Sequence, residues 1–325
     1  MIELNWFVFP AALLLALAVD HYLGEPPNRW HPVVWMGNFL NRLAPFVLPA
    51  PSKPSETRDL KDFSLGALVW WAGVAIVLIV SCSLQWAILQ LPAVLAALVL
   101  GLALKPMLAF AMLCREVQTV EAALVVSLVA GRERLSWLVS RDTAQLSASE
   151  VRESAIESLA ENLNDSVVAP IFWFVIFGLP GAAVYRFANT ADAMWGYKGL
   201  RNGQNWEWAG KWAARADDVL SWLPARITAL LLMSIAGNVS YRVLADEARK
   251  TPSPNSGWPM AAMALATGVC LRKPGVYALN PQGRVPLAED TEKTMKYASK
   301  VLLALVLWYF IAMFMIANLL AVLTQ

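Results

Sequence analysis

Three carboxylates recur at every fourth position: Glu157, Glu161 and Asp165. On a helix that spacing lines all three along one face. Asn162 and Asn164 flank them, and an apolar run begins at Val167. Acids at the mouth of an apolar segment are costly unless they are paired, hydrated or binding a cation. Three further acids, Asp192, Asp217 and Asp218, lie downstream among Arg186, Lys198, Arg215 and Arg226, and Arg141 lies upstream. Carboxylate oxygens suit Mg²⁺, which commonly works with phosphate. Arg and Lys suit phosphoryl oxygens. The set is therefore competent for metal-assisted phosphate chemistry, with a solvated helix end as the plain alternative for the three acids alone.

Four smaller groupings accompany it. Asp20, His21, Gly24, Glu25, Pro26, Pro27 and His31 form a Gly/Pro-rich turn, and His21 and His31 are the only histidines. No tight ligand spacing makes them a metal pair. Asn189 and Asp192 stand three apart beside Arg186, Tyr197 and Lys198, with Gly196 allowing close backbone approach. Arg226 sits inside an apolar run, which marks a functional candidate or an ion pair with Asp218. Ser253-Pro254-Asn255-Ser256-Gly257 reads first as a polar turn. The sequence contains no GxxxxGK[ST], GxSxG or HExxH motif. Any nucleotide site is therefore not a P-loop.

The elements that must carry these residues are membrane helices. Of 325 residues, 58% are hydrophobic and only 15% are charged, against about 25% charged in soluble domains. A net charge of +2 with no basic tail gives no sign of nucleic-acid binding. Cys82, Cys114 and Cys270 are odd in number and widely spaced, so they read as packing residues. Many of the 15 tryptophans flank apolar runs, as interfacial anchors do.

The run from Trp6 to Val19 reads as a retained, short first membrane helix, since Asp20 and His21 follow it instead of a cleavage site. Pro49 to Asp62 is a loop by composition. Phe63–Leu84 and Trp86–Leu104 each suit a span of about 20 residues and must form a hairpin. Residues 105–165 are predicted mostly helical, punctuated at Gly131, with Met107, Phe110, Leu113, Val117, Val120 and Leu124 on one stripe. Ser147 and Glu150 have capping-box spacing, which starts a helix there. Val167–Ala188 is broken at Gly178-Leu179-Pro180-Gly181, as one kinked span or a re-entrant hairpin. Leu220–Gly237 and Val301–Leu323 complete the spans, with a weakly hydrophobic helix at Met260–Cys270.

Lys and Arg number five in 20–62, six in 105–165, five in 186–218 and nine in 240–300. Every long polar segment thus carries five or more Lys and Arg residues, which are what the orientation rule counts. The expectation is that all four meet on the cytoplasmic face and that at least one Pro-broken segment does not cross fully. The fold class expected is all-α: a polytopic membrane helical bundle with broken or re-entrant helices and cytoplasm-facing polar segments, forming one integral membrane domain over 1–325.

These motifs, in this order, resemble the CobD/CbiB family of cobalamin-biosynthesis membrane proteins, the adenosylcobinamide-phosphate synthases. The resemblance covers nearly the whole chain. It rests on Asp20–Pro27 with His31-Pro32 and Trp35-Met36-Gly37, Arg141-Asp142-Thr143, and Glu157–Asp165 with Val168-Ala169-Pro170. It continues through Tyr185-Arg186, Asn189-Thr190, Asp192, Met194–Lys198, Ala214-Arg215, Asp217-Asp218, Pro224-Ala225-Arg226 and Ser253–Gly257. Two departures stand out. Lys250-Thr251-Pro252 replaces a histidine common before the polar turn, and Arg201–Trp206 replaces a shorter tyrosine-bearing linker.

The resemblance implies a carbon–nitrogen ligase of the acid–amine type. It would join a propionate carboxylate of adenosylcobyric acid to (R)-1-aminopropan-2-ol or its O-phosphate, with ATP and Mg²⁺ as cofactors. It also implies a multi-pass protein of the cell (inner, cytoplasmic) membrane with its active face in the cytoplasm. The implied partners are the corrinoid, the aminopropanol (phosphate) and the lipid bilayer, not nucleic acid, with room for other cobalamin-pathway enzymes and for a homo-oligomer. On side-chain chemistry, Glu157, Glu161, Asp165 and Asp192 are assigned to the metal. Arg141, Arg186, Asn189, Tyr197, Lys198, Arg215, Arg226 and Asn255 are assigned to phosphate and substrate groups. Glu157, Glu161, Asp217, Asp218 and His31 are the catalytic candidates. Two other readings stand beside it. A corrinoid transporter would place polar residues across the bilayer midplane. A membrane sensor similar to the β-lactamase-induction protein AmpE would not need so dense a set of acids and cations.

Overall fold

The computed structural model describes residues 7–48, 59–201, 203–237 and 240–323. It is mostly helical, as expected. The helices are α1 (Val8–Leu23), α2 (Pro32–Val47), α3 (Leu60–Leu89), α4 (Ala93–Leu104), α5 (Phe110–Val126), α6 (Leu128–Leu135) and α7 (Ala148–Leu163). They continue as α8 (Ala169–Phe177), α9 (Leu179–Trp195), α10 (Lys211–Ala236), α11 (Tyr241–Ala248), α12 (Gly257–Thr267) and α13 (Ala288–Leu323). Two short antiparallel hairpins depart from a purely helical chain: β1 (Leu200–Arg201) with β2 (Gln204–Asn205), and β3 (Leu271–Lys273) with β4 (Tyr277–Leu279).

Among the described residues, four helical stretches are long and apolar enough to cross a membrane: Leu60–Leu89, Ala93–Val126, Lys211–Ala236 and Ala288–Met315. The expected hairpin of apolar helices is present, but its turn lies at Gln90–Pro92, about five residues later than expected. Pro92 decides this, because proline suits a helix start and resists a helix interior. The loop expected at Pro49–Asp62 falls partly on residues 49–58, which lie outside the described residues. Its last part is already helix, since the Asp59 carboxylate accepts from the Asp62 amide at 3.0 Å and caps α3.

The chain forms two compact units, each assembled from two stretches. The first comprises Met1–Leu108 and Ala169–Leu220, and the second Ala109–Val168 and Ser221–Gln325. In the first unit α1 lies along α4, and α9 packs on α2, α3 and α8. Its core gathers Leu40, Trp70, Val74, Phe187, Trp195 and Trp206. Gly178, at a φ of 69°, ends α8, and α9 folds back onto α8. A Cβ at Gly181 would come within 2.2 Å of the Trp173 carbonyl oxygen, so glycine is what lets the two helices close. Val167–Ala188 therefore holds a tight helical hairpin. With nine residues, α8 is about 13 Å long, far short of a bilayer core of about 30 Å.

In the second unit α7 packs against α5, α6, α12 and α13. Leu113, Val117 and Val120 of the predicted α5 stripe meet Leu135, Val151, Ala155 and Leu159 in its core. The Ser147–Glu150 capping box is formed in full and starts α7 as expected.

Candidate functional site

The second unit holds a polar pocket built on α7. Glu153, Glu157 and Glu161 share one face of that helix at four-residue intervals. Glu153 is wholly buried and fully neutralised by the hairpin β3–β4. Its Oε2 accepts from the Arg272 amide at 2.9 Å and from Nε at 3.1 Å, and its Oε1 accepts from Nη2 at 2.6 Å. These bonds raise the Arg272 pKa and pin the hairpin to α7.

One turn on, Glu157 is 3% exposed and accepts from Arg141 Nη2 at 2.5 Å. Arg141 comes from the connection between α6 and α7. That connection is held by Arg132 Nε donating to the Leu146 carbonyl at 2.6 Å and the Thr143 hydroxyl donating to the Arg132 carbonyl at 3.0 Å. Burial pushes the Glu157 carboxyl above its ordinary value, and the Arg141 charge only partly offsets it. Tyr277 on β4 stands within reach of Glu157, and its hydroxyl donates to Met260 Sδ at 3.8 Å. Burial, and then the Glu157 charge, raise the Tyr277 pKa as well.

A cavity of about 190 Å³ opens here, lined among others by Arg141, Glu157, Glu161, Asn162, Lys273 and Tyr277. Glu157 Oε1 and Arg141 Nη1 are buried at its wall without a well-formed hydrogen bond. An unpaired buried donor and acceptor side by side are costly. A ligand offering both an oxyanion and a cation would satisfy them. Glu157 and Glu161 supply two carboxylates, the number Mg²⁺ commonly takes from protein when phosphate completes its shell.

Of the expected metal carboxylates, Glu157 and Glu161 line this pocket. The α-helix gives way to a π-turn at Asn164–Val168, which breaks the every-fourth stripe, and Asp165 does not line the pocket. Its Oδ1 accepts from Asn164 Nδ2 at 2.7 Å, while Asn164 Oδ1 accepts from the buried Thr228 hydroxyl at 3.2 Å. Asp192 belongs to the first unit. Among the described residues no three His, Cys, Asp or Glu side chains are grouped to hold a metal ion.

Other expected residues meet elsewhere. Arg226 engages the polar turn. Its Nη1 donates to Asn255 Oδ1 at 2.6 Å and to the Trp222 carbonyl at 2.8 Å, and its Nη2 donates to the Pro254 carbonyl at 3.0 Å. The guanidinium also lies over the rings of Trp222 and Trp258. Arg226 and Asn255 are therefore brought together, and the arginine clamps the polar turn before α12.

In the first unit Asn189 links Arg186 and Asp217. Its Oδ1 faces Arg186 Nη1 at 3.5 Å, and its Nδ2 faces Asp217 Oδ1 at 3.4 Å. Lys198 acts electrostatically on Asp218. The Tyr197 hydroxyl donates to the Ala193 carbonyl at 2.9 Å, beneath the Arg201 guanidinium. Arg215 is exposed on α10. A Cβ at Gly196 would meet Asp192 Oδ1 at 1.9 Å, so only glycine lets the chain turn over that carboxylate.

His31 caps α2: its Nδ1 accepts from the Val33 amide at 3.3 Å, and its Nε2 lies 3.1 Å from Glu25. Both ring nitrogens are engaged, which opposes a role as base. Lys105, 3% exposed, lies 3.2 Å from Asp20 and 2.7 Å from Glu25.

Sequence reasoning missed Lys105, the Glu153–Arg272 pair, Lys273 and Tyr277. A lone lysine in a long apolar stretch was the available signal for the first. Pro274-Gly275 was the signal for the hairpin that carries Arg272, Lys273 and Tyr277.

The CobD/CbiB protein family matches residues 13–318. The chain belongs to the CobD/CbiB family. The match takes in every residue singled out above. A probable cobalamin biosynthesis protein CobD of Methanothermobacter thermautotrophicus is 39% identical over 275 residues, covering 83% of this chain and 86% of the relative. One of Pyrococcus abyssi is 40% identical over 288 residues, 88% of this chain and 90% of the relative. The cobalamin biosynthesis protein CobD of Chromobacterium violaceum is 38% identical over 301 residues, 89% and 91%. No solved structure matches the chain.

Proposed function

We propose that this CobD/CbiB family member acts in cobalamin biosynthesis as an ATP-dependent amide-forming ligase. It would join adenosylcobyric acid to (R)-1-aminopropan-2-ol or its O-phosphate. A free carboxylate has no usable leaving group. Its oxygen must first attack a phosphorus of ATP, breaking a phosphoanhydride bond and releasing ADP or pyrophosphate, to give a mixed anhydride. The amine nitrogen then attacks the carbonyl carbon, the phosphate leaves with the bonding pair, and the nitrogen gives up a proton.

The observation that carries this reading is the pocket on α7, where Arg141 Nη1 and Glu157 Oε1 stand buried and unpaired beside Glu161. We assign Glu157 and Glu161 to Mg²⁺, which when bound would neutralise phosphate charge. Arg141 would hold a phosphoryl oxygen as charge develops on it. Asp165 is not kept in the metal set, nor His31 as base. In the first unit, Arg186, Lys198, Arg215, Asp217 and Asp218 are proposed by themselves as a group for charged parts of the substrates. The Lys and Arg residues of the polar segments favour a multi-pass protein with its working face in the cytoplasm.

The test is purified protein in liposomes with adenosylcobyric acid, ATP, Mg²⁺ and either amine, read by mass spectrometry. Amide that depends on ATP is expected. No amide with either amine, from folded protein, would overturn the reading.

A further inference from the structure

The hairpin β3–β4 forms the outer side of the α7 pocket, and its sequence dictates how. Lys273-Pro274-Gly275-Val276 closes with the Val276 amide donating to the Lys273 carbonyl at 2.9 Å. Proline at the second position and glycine at the third, with φ 73°, fit a type II turn. Lys273 and Tyr277 are therefore directly paired across the two strands. Paired residues share a face of a hairpin, and both line the cavity with Arg141, Glu157 and Glu161. The next residue back, Arg272, is locked to Glu153, so the pair is held in place by a bond outside the pocket. The hairpin cannot swing away from α7 without exposing or stranding the fully buried Glu153 carboxylate.

The charges then divide the pocket. Glu157 and Glu161 lie on the helix side. Lys273 stands on the hairpin side, and Arg141 lines the same space. The Tyr277 hydroxyl lines the same cavity, and its long bond to Met260 Sδ, at 3.8 Å, can be exchanged for one to a ligand oxygen.

We infer that Lys273 and Tyr277 of the hairpin, with Arg141, form an oxyanion-binding subsite for a substrate phosphate opposite Glu157 and Glu161. The inference rests on the ligase reading for its substrates. The shared chemistry is a phosphate, from ATP or from the O-phosphorylated amine.

The test is isothermal titration of the full-length protein in detergent. One arm uses the non-hydrolysable analogue AMP-PNP with Mg²⁺, and the other uses (R)-1-aminopropan-2-ol O-phosphate. Lys273→Ala should weaken one of the two ligands about tenfold and flatten its salt dependence, as expected for loss of one charged phosphate contact. Lys273→Arg should restore binding. Tyr277→Phe should weaken the same ligand about threefold to tenfold. Arg249→Ala, which removes an exposed cation paired with Asp246, should change neither.

The arm that responds identifies the source of the phosphate. Wild-type affinity of Lys273→Ala for both ligands, or no binding of either by the wild type, overturns the inference. Amide formation is read separately. Binding weakened by Lys273→Ala without any amide product would sink the ligase reading and leave the subsite standing. Amide product with unchanged binding would do the reverse.

Discussion

Each unit buries acids around a cation, and the two arrangements push their carboxylates in opposite directions. In the first unit Lys105 lies between Asp20 and Glu25, and His31 completes the set. Burial would raise the Glu25 pKa, yet hydrogen bonds from His31 and Lys105 outweigh it and hold the carboxyl below its ordinary value. In the second unit Arg141 meets only one oxygen of Glu157, and burial wins, so that carboxyl is raised. The first cluster ties the end of α1 and the entry to α2 to the end of α4, with one cation between two acids. The second pairs Glu157 with Arg141 at the wall of a polar cavity. A buried carboxyl with a raised pKa at the wall of a polar cavity is a functional candidate.

The largest effects should separate the two clusters most sharply. Glu161→Gln should cut amide formation by about 100- to 1,000-fold, the range for loss of one group that stabilises charge in the transition state, with the unfolding midpoint unchanged. Lys105→Met should do the opposite in kind. It removes the cation beside Asp20, only 2% exposed, and Glu25, and breaking such a buried pair costs about 3–5 kcal/mol. Denaturant unfolding in detergent would show this, and adding Asp20→Asn should recover part of the loss.

Close packing in the first unit gives a smaller effect. A Cβ at Gly66 would meet the Ala209 carbonyl oxygen at 1.9 Å, a backbone atom that cannot turn aside. Gly66→Ala should therefore cost about 1–3 kcal/mol in an unfolding titration.

The smallest effect is in pH, and it should have opposite signs in the two clusters. The folded pKa of Glu25 is lowered, so its contribution is present above the ordinary carboxylate value of 4.5 and is lost as pH falls through the folded value. The folded pKa of Glu157 is raised, so its contribution is fully present below 4.5 and is lost as pH rises through the folded value. Stability profiles of Glu25→Gln and Glu157→Gln should each lose the corresponding slope. Slopes of the same sign would dissolve the contrast.

Much of this was legible in the sequence. The apolar runs, the Ser147 cap and the α5 stripe follow from periodicity and local hydrogen bonding, and the structure has them. Glu157 and Glu161 were legible as one helical face because four-residue spacing is a local property. Asp165 continues the same spacing, but a π-turn shifts it, and nothing in the count of residues marks that turn. Arg226 stood out as an arginine in an apolar run. Its partner was not a carboxylate but the Asn255 amide, because the turn before α12 supplies carbonyls where a fork of donors can close. Lys273 and Tyr277 stayed hidden because they reach the site through a hairpin, and pairing over 116 residues from Glu157 to Lys273 has no local signature.

The most direct measurement sets Glu161→Gln and Lys105→Met side by side, reading amide formation in liposomes and the unfolding midpoint on the same preparations. The account predicts that Glu161→Gln unfolds like the wild type and forms no amide, and that Lys105→Met unfolds early. Full amide formation by folded Glu161→Gln would contradict it and remove the α7 pocket from the chemistry.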